Sequence, residues 1–141
     1  MAAEDLVPEL DIGESTITIL AISCECDEDS VRKGRFVTIT DGENWPPKVH
    51  EADSGEKIGG VALTAGYTDD HISVLIIGAV KMYAGGAVTA MDAVVTDNEG
   101  RTVKALAANQ GLEGGKALMS AGEADDEFMV FVCPNNVGEG T

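Results

Sequence analysis

Aromatic residues make up only 4% of this 141-residue chain, so its core has to be assembled from Val, Ile, Leu and Ala. Basic residues are also few, nine against 25 acidic ones, which leaves a formal charge of −16 and a pI near 4.2. A field of that sign repels nucleic-acid phosphate, whose recognition needs basic patches, and it repels anionic membrane surfaces. Nucleic acid and membranes are therefore excluded as partners. The best apolar run, Ile72 to Val80, is strand-length and stops at Lys81, well short of the roughly 18 residues that cross a bilayer. The acidic start Met1-Ala2-Ala3-Glu4-Asp5 lacks the basic and apolar regions of a secretion signal. Three cysteines are an odd number, and Cys24 and Cys26 are too close to bridge easily, so passage through an oxidising compartment is not indicated.

Catalytic furniture is equally sparse. His50 and His71 are the only bases of suitable pKa, no Gly-x-Ser-x-Gly elbow occurs, and both histidines read as solvated surface residues. Cys24-x-Cys26 with Cys133 lacks the spacing of a zinc knuckle. Gly111 to Lys116 fails as a phosphate loop, because Gln110 stands where glycine is needed and Ala117 where Ser or Thr would hold magnesium. The acidic runs Asp27-Glu28-Asp29, Asp69-Asp70 and Asp125-Asp126-Glu127 match no EF-hand and read as turns, although they could collect cations. A saccharide cleft would bring more rings than one Trp, two Tyr and three Phe. The expectation is a protein that is not an enzyme, with no catalytic residue, no cofactor and no metal.

What the chain does have is strands and turn residues. Thr16–Ser23, Phe36–Thr40, Val61–Ala65, Ile72–Val80, Ala93–Thr96, Thr102–Leu106, Ala117–Ser120 and Phe128–Val132 read as strands. Asp41-Gly42, Gly66, Asp69-Asp70, Gly85-Gly86, Asn98-Glu99-Gly100, Gly114-Gly115 and Asp125-Asp126 punctuate them, and Cys24 to Ser30 reads as an acidic turn. The Ala-rich stretch Val103–Asn109 offers a helical turn or two. No long amphipathic helix is offered anywhere.

The text also repeats. Thr40-Asp41-x-Glu43 recurs as Thr96-Asp97-x-Glu99, a displacement of 96 − 40 = 56. The same displacement carries Gly55 onto Gly111, Gly59 onto Gly115, Ala65-Gly66 onto Ala121-Gly122 and Asp69-Asp70 onto Asp125-Asp126. Two copies are too few for a solenoid, whereas closure of two similar halves removes exposed sheet edges. The fold expected is all-β: a small closed barrel or sandwich of two similar half-units, about 31–75 and 87–131. It lies within one domain over 15–133, preceded by an extended acidic arm (1–14) and followed by a flexible tail (134–141).

Two features suit binding. Trp45, on a Pro46-Pro47 loop, is either an interface anchor or a ring folded over the end of the core. The arm, with Leu6, Val7, Pro8, Leu10 and Ile12, can add to a partner's sheet edge or stay disordered alone. The acidic excess over a normal core, mean hydropathy +0.04, suits high salt, since at about 1 M the Debye length is only ~3 Å.

From Lys57 the order Ile58-Gly59-Gly60-Val61-Ala62-Leu63, Ile72-Ser73-Val74-Leu75, Gly78-Ala79-Val80, Gly86-Ala87-Val88-Thr89-Ala90, Asp92-Ala93-Val94-Val95-Thr96-Asp97 and Gly100-Arg101-Thr102-Val103 resembles the small capsid decoration, or cement, proteins of tailed viruses. Gly115-Lys116-Ala117-Leu118 and Phe128–Val132 complete the pattern, which covers roughly Val31 to Val132. Met91 departs from it, standing where the pattern usually has glycine. The resemblance implies a structural protein, made in the host cytoplasm, that sits on the outer surface of an assembled capsid. It implies the major capsid protein as partner and a homotrimer as the working unit; the arm and the Trp45-Pro46-Pro47 loop stand outside the common pattern, and it is by their own features that they are the expected capsid contacts. With the acidity the resemblance implies a virus of a halophilic host. The alternative expectation is a carbohydrate- or divalent-cation-binding β module on a virion or cell surface.

Overall fold

The computed structural model describes residues 16–27, 30–41, 43–109 and 111–135. The expected arm, the carboxyl-terminal six residues, and Glu28, Asp29, Gly42 and Gln110 lie outside the described residues. The strands are β1 (Ile17–Cys26), β2 (Ser30–Val31), β3 (Phe36–Asp41), β4 (Lys48–Glu51), β5 (Gly60–Ala62) and β6 (Gly66–Tyr67) in the first half. β7 (His71–Tyr83), β8 (Ala93–Thr96), β9 (Thr102–Lys104), β10 (Glu113–Ala117) and β11 (Glu127–Asn135) follow. The fold is all-β, and the Ala-rich stretch contributes one 3-10 turn, Ala107–Asn109.

Nine strands form one hydrogen-bonded order, β1-β4-β3-β5-β7-β11-β10-β8-β9, and β1 pairs again with β7. That second pairing closes β1, β4, β3, β5 and β7 into a ring. The remaining strands run from β7 through β11, β10, β8 and β9, and a parallel bridge from Thr102 returns to Ala84 at the end of β7. The 13-residue β7 therefore serves both halves: its first part pairs with β5, its second with β11, and β1 lies along the other edge.

Side-chain alternation along these strands fills two cores at once. Val37, Ala62 and Val74 join Cys24, Cys26, Val31, Val49 and Ile72 inside the first ring. Their sequence neighbours Phe36, Val61 and Leu75 point the other way, into a second core with Met82, Val94, Phe128, Val130 and Val132. Both faces are buried at Phe36–Thr38 of β3, along β5 and over the middle of β7, where β7 reads as a near-continuous apolar run. Backbone contacts fasten the same seam. Phe36 N–H donates to Gly100 O at 2.8 Å, and Ser54 N–H donates to Asn98 Oδ1 at 3.1 Å.

Geometry recurs at the 56-residue displacement. Asp69 and Asp125 both have φ of +69°, and Gly55 and Gly111 have φ of +87° and +86°. Glu43 and Glu99 each donate a backbone N–H to the side chain two residues back, Asp41 and Asp97. Tyr67 and Glu123 each donate N–H to the carboxylate three residues on, Asp70 and Asp126. Those acids are turn builders.

Several strand limits differ from expectation. β1 continues through Cys26, because Cys24 and Cys26 point into the core where an acidic turn was expected. β4 was not expected at all, yet it pairs with β3 and lies parallel to β1. Gly114 and Gly115 lie inside β10 and not in a turn, since Gly114 leaves room for the Phe36 ring and Ile58. β11 runs on through Asn135, past the expected start of the tail.

Candidate functional site

Exposed apolar side chains gather at two ends of β1. At its beginning Ile17, Ile19 and Leu20 are exposed, and among the described residues this part of β1 pairs only with β7. At its far end the Trp45 loop is tied down by a hydrogen bond from Glu25 N–H to Pro47 O at 3.0 Å. Pro47 is buried and forms the foot of the loop; Pro46 is half-buried. The Trp45 ring is 75% exposed, so it does not cover the core. The expected contact residues Leu6, Val7, Pro8, Leu10 and Ile12 lie outside the described residues. Thr16 and Pro47, which bonds to Glu25, are separated by nearly the length of β1, about 30 Å at ~3.3 Å per residue. The fold thus does not gather the arm's root and the Trp45 loop into one patch.

The second half shows what the Trp45 position does elsewhere. At displacement 56 it becomes Arg101, whose guanidinium meets Asp97 at 2.9 Å, Glu99 at 3.0 Å and Asp125 at 3.1 Å. The hydrogen bonds that Arg101 donates to Asp125 and Asp97 push its pKa above the ordinary value despite some desolvation. The first half places an exposed ring where the second knits a turn together.

Other polar side chains fasten the fold. Arg32 donates to Glu51 through Nε and Nη2, both at 2.9 Å, and through its backbone N–H at 2.8 Å. Burial pushes the Glu51 carboxyl up, but these hydrogen bonds and the Arg32 and Arg35 charges outweigh it, and its pKa falls below the ordinary 4.5. A depressed folded value means this stabilisation is complete above the unfolded pKa and fades as pH drops through the folded one. Glu51→Gln is expected to cost about 1 kcal/mol at pH 7, discounted for the exposed Arg32. Urea midpoints should show that gap narrowing as the pH is taken progressively below 4.5; a gap that stays constant throughout would assign the loss to packing.

The cysteines do not make a site together. Cys24 and Cys26 are buried and Cys133 is exposed. Burial, with a smaller contribution from Cys26, pushes the Cys24 thiol up to about 11, so it is held protonated. His71 lies 63% exposed, 4.0 Å from Glu25. His50 sits within β4, where a solvated surface position was expected, and its Nε2 is 3.4 Å from Glu56 Oε1. It is half-buried. Asp53 completes a group of three metal-capable side chains that residue spacing did not reveal. No helix among the described residues is long and apolar enough to cross a membrane.

Twin five-strand half-units sharing one strand, with turns held by Asp side chains and Arg101, define an all-β module. The sequence model for phage cement proteins matches residues 19–133, and the chain belongs to that family of virion structural proteins. Among solved structures it is similar to the head fiber gp8.5 N base in bacteriophage phi29, with 16% identity and a TM-score of 0.64. That match covers 80% of this chain and 92% of the other, and at such identity it establishes the fold. No curated protein matches.

Proposed function

We propose that this protein binds the outer surface of an assembled capsid and stabilises the shell, working as a homotrimer and without catalysis. Membership of the phage cement family over residues 19–133 carries this reading. The two halves are copies of one unit, a reading supported by the recurring φ values and turn hydrogen bonds. Sharing β7 makes them one stiff body, suited to bracing neighbouring capsid subunits. Modest contacts repeated over many sites add up to strong retention. Trp45, with Pro46, and the arm residues Leu6 to Ile12 supply the contacts to the major capsid protein. The charge of −16 suits a host that lives in concentrated salt, where self-repulsion is screened.

Co-sedimentation with matching capsids stripped of decoration tests the role. Saturable pelleting at a fixed ratio to capsid subunits is expected, and it should strengthen from dilute buffer to molar salt. Failure of the folded protein to pellet at any salt concentration would sink the role. Pelleting that weakens as salt rises would retain the role and remove the salt adaptation.

A further inference from the structure

We propose that His50, Asp53 and Glu56 form a binding site for a divalent transition cation, of which zinc is the natural probe. One ligand atom from each residue lies within 4.8 Å of the others. Tetrahedral zinc with bonds of about 2.0–2.2 Å needs its ligand atoms ~3–4 Å apart, so small side-chain rotations would close this group around an ion. His50 and Glu56 are half-buried and Asp53 is exposed, giving the ion a walled side and an open one.

The local fold presets the geometry. His50 is fixed in β4. The chain then turns: Glu56 N–H donates to Asp53 O at 3.0 Å, and Gly55 supplies φ of +87°. Asp53 N–H donates to Glu56 Oε1 at 2.7 Å, which aims that carboxylate toward the His50 ring.

The second half provides an independent control. It builds the same turn, with Leu112 N–H donating to Asn109 O at 2.9 Å and Gly111 at φ of +86°. There the positions equivalent to His50, Asp53 and Glu56 at displacement 56 are Leu106, Asn109 and Leu112. The turn therefore forms there without an ionisable side chain at any of these three positions, helped by Asn109 Oδ1, which accepts from Leu106 N–H at 2.9 Å, and by Glu113 Oε1, which accepts from Gly111 N–H at 3.0 Å. An imidazole beside two carboxylates suits zinc and its neighbours, whereas calcium and magnesium prefer oxygen throughout. The dication would neutralise two acids in a chain of charge −16, where uncompensated carboxylates repel.

Coordination would act beyond the turn. Ser54, between two of the ligands, donates its N–H to Asn98 Oδ1 at 3.1 Å, across the seam of the two halves. An ion that fixes residues 50–56 fixes this contact too. The inference stands apart from the capsid reading, and its test uses the isolated protein.

The test is zinc titration by calorimetry, with thermal melts, in a Cys133→Ser background that removes the one exposed thiol. The comparison variant His50→Leu/Asp53→Asn/Glu56→Leu installs the residues that the second half already uses. The parent is expected to bind one zinc per chain and to melt several degrees higher in about 1 mM zinc, since a ligand of the native state stabilises it. The triple variant should lose that response and bind at least tenfold more weakly, and magnesium should not substitute. His50→Gln, which disturbs the turn least, should lose most of the zinc response even if the triple variant folds poorly. Absence of zinc binding by the parent, or equal binding by parent and His50→Gln, would overturn the site and leave a hydrogen-bonded His–Glu pair.

Discussion

Gly115→Ala is expected to destabilise the protein by about 3 kcal/mol or more, with Gly78→Ala close behind. Gly115 has φ of +151°, and a Cβ there would press into the carbonyl oxygen of Phe131 on the neighbouring strand. That oxygen belongs to the β10–β11 ladder beside the Gly115–Val132 register, so it cannot rotate aside as a side chain would. Gly78, at φ of +154°, would drive a Cβ into Ile17 O, and Leu75 Cδ1 lies only 3.0 Å away. It pairs with Thr18 of β1 and with Val132 of β11, at the point where β7 leaves one half for the other. Relief would mean opening a pairing that holds the halves together. Against a typical stability of roughly 5–15 kcal/mol, either substitution removes a large share. Gly86, where an added methyl would meet nothing within 4 Å, is the control, and Gly86→Ala should stay within about 0.5 kcal/mol. Urea midpoints for the three variants decide the matter. A Gly115→Ala midpoint matching that of Gly86→Ala would show that the ladder yields easily and that this close approach is not a constraint.

The strands were legible in proportion to how much they are buried. β7 and β11 show as apolar runs, and β8 was expected at Ala93–Thr96, where it lies. β4 stayed hidden because Lys48, His50 and Glu51 surround its one buried residue, Val49, just after two prolines. The Gly114-Gly115 pair suggested a turn by composition, but the Phe36 ring and Phe131 O occupy the space their side chains would need. The acid pairs, by contrast, read as the turns they are: Asp70 and Asp126 spend their carboxylates on backbone N–H groups of their own turns. Met91 shows the reverse of the Gly114-Gly115 case, holding φ of +78° where the related pattern carries glycine. The His50 group was invisible because its spacing fits no ligand motif; only the Gly55 turn brings the three side chains together. The displacement of 56 carried the missing signal, since it sets those residues against Leu106, Asn109 and Leu112.

Trp45→Ala is expected to weaken association with stripped capsids by at least about tenfold while leaving the melting temperature nearly unchanged. The two effects separate because the ring is 75% exposed and contributes little to its own core. The loop keeps its shape without the ring, being held at its foot by the Glu25 N–H to Pro47 O bond. A large, rigid, solvent-facing ring loses little freedom when a partner covers it, which is why tryptophan dominates so many interfaces. On a trimer the loss would be felt at three contacts together, so avidity would fall further than any single contact suggests. The loop and the root of the arm sit about 30 Å apart along β1, too far to share a contact, so the effects of Trp45→Ala and of deleting residues 1–14 should add. Quantitative co-sedimentation of the single and combined variants measures both losses. An unchanged saturation curve for Trp45→Ala would move the interface away from this loop, toward the exposed Ile17, Ile19 and Leu20 at the other end of the strand.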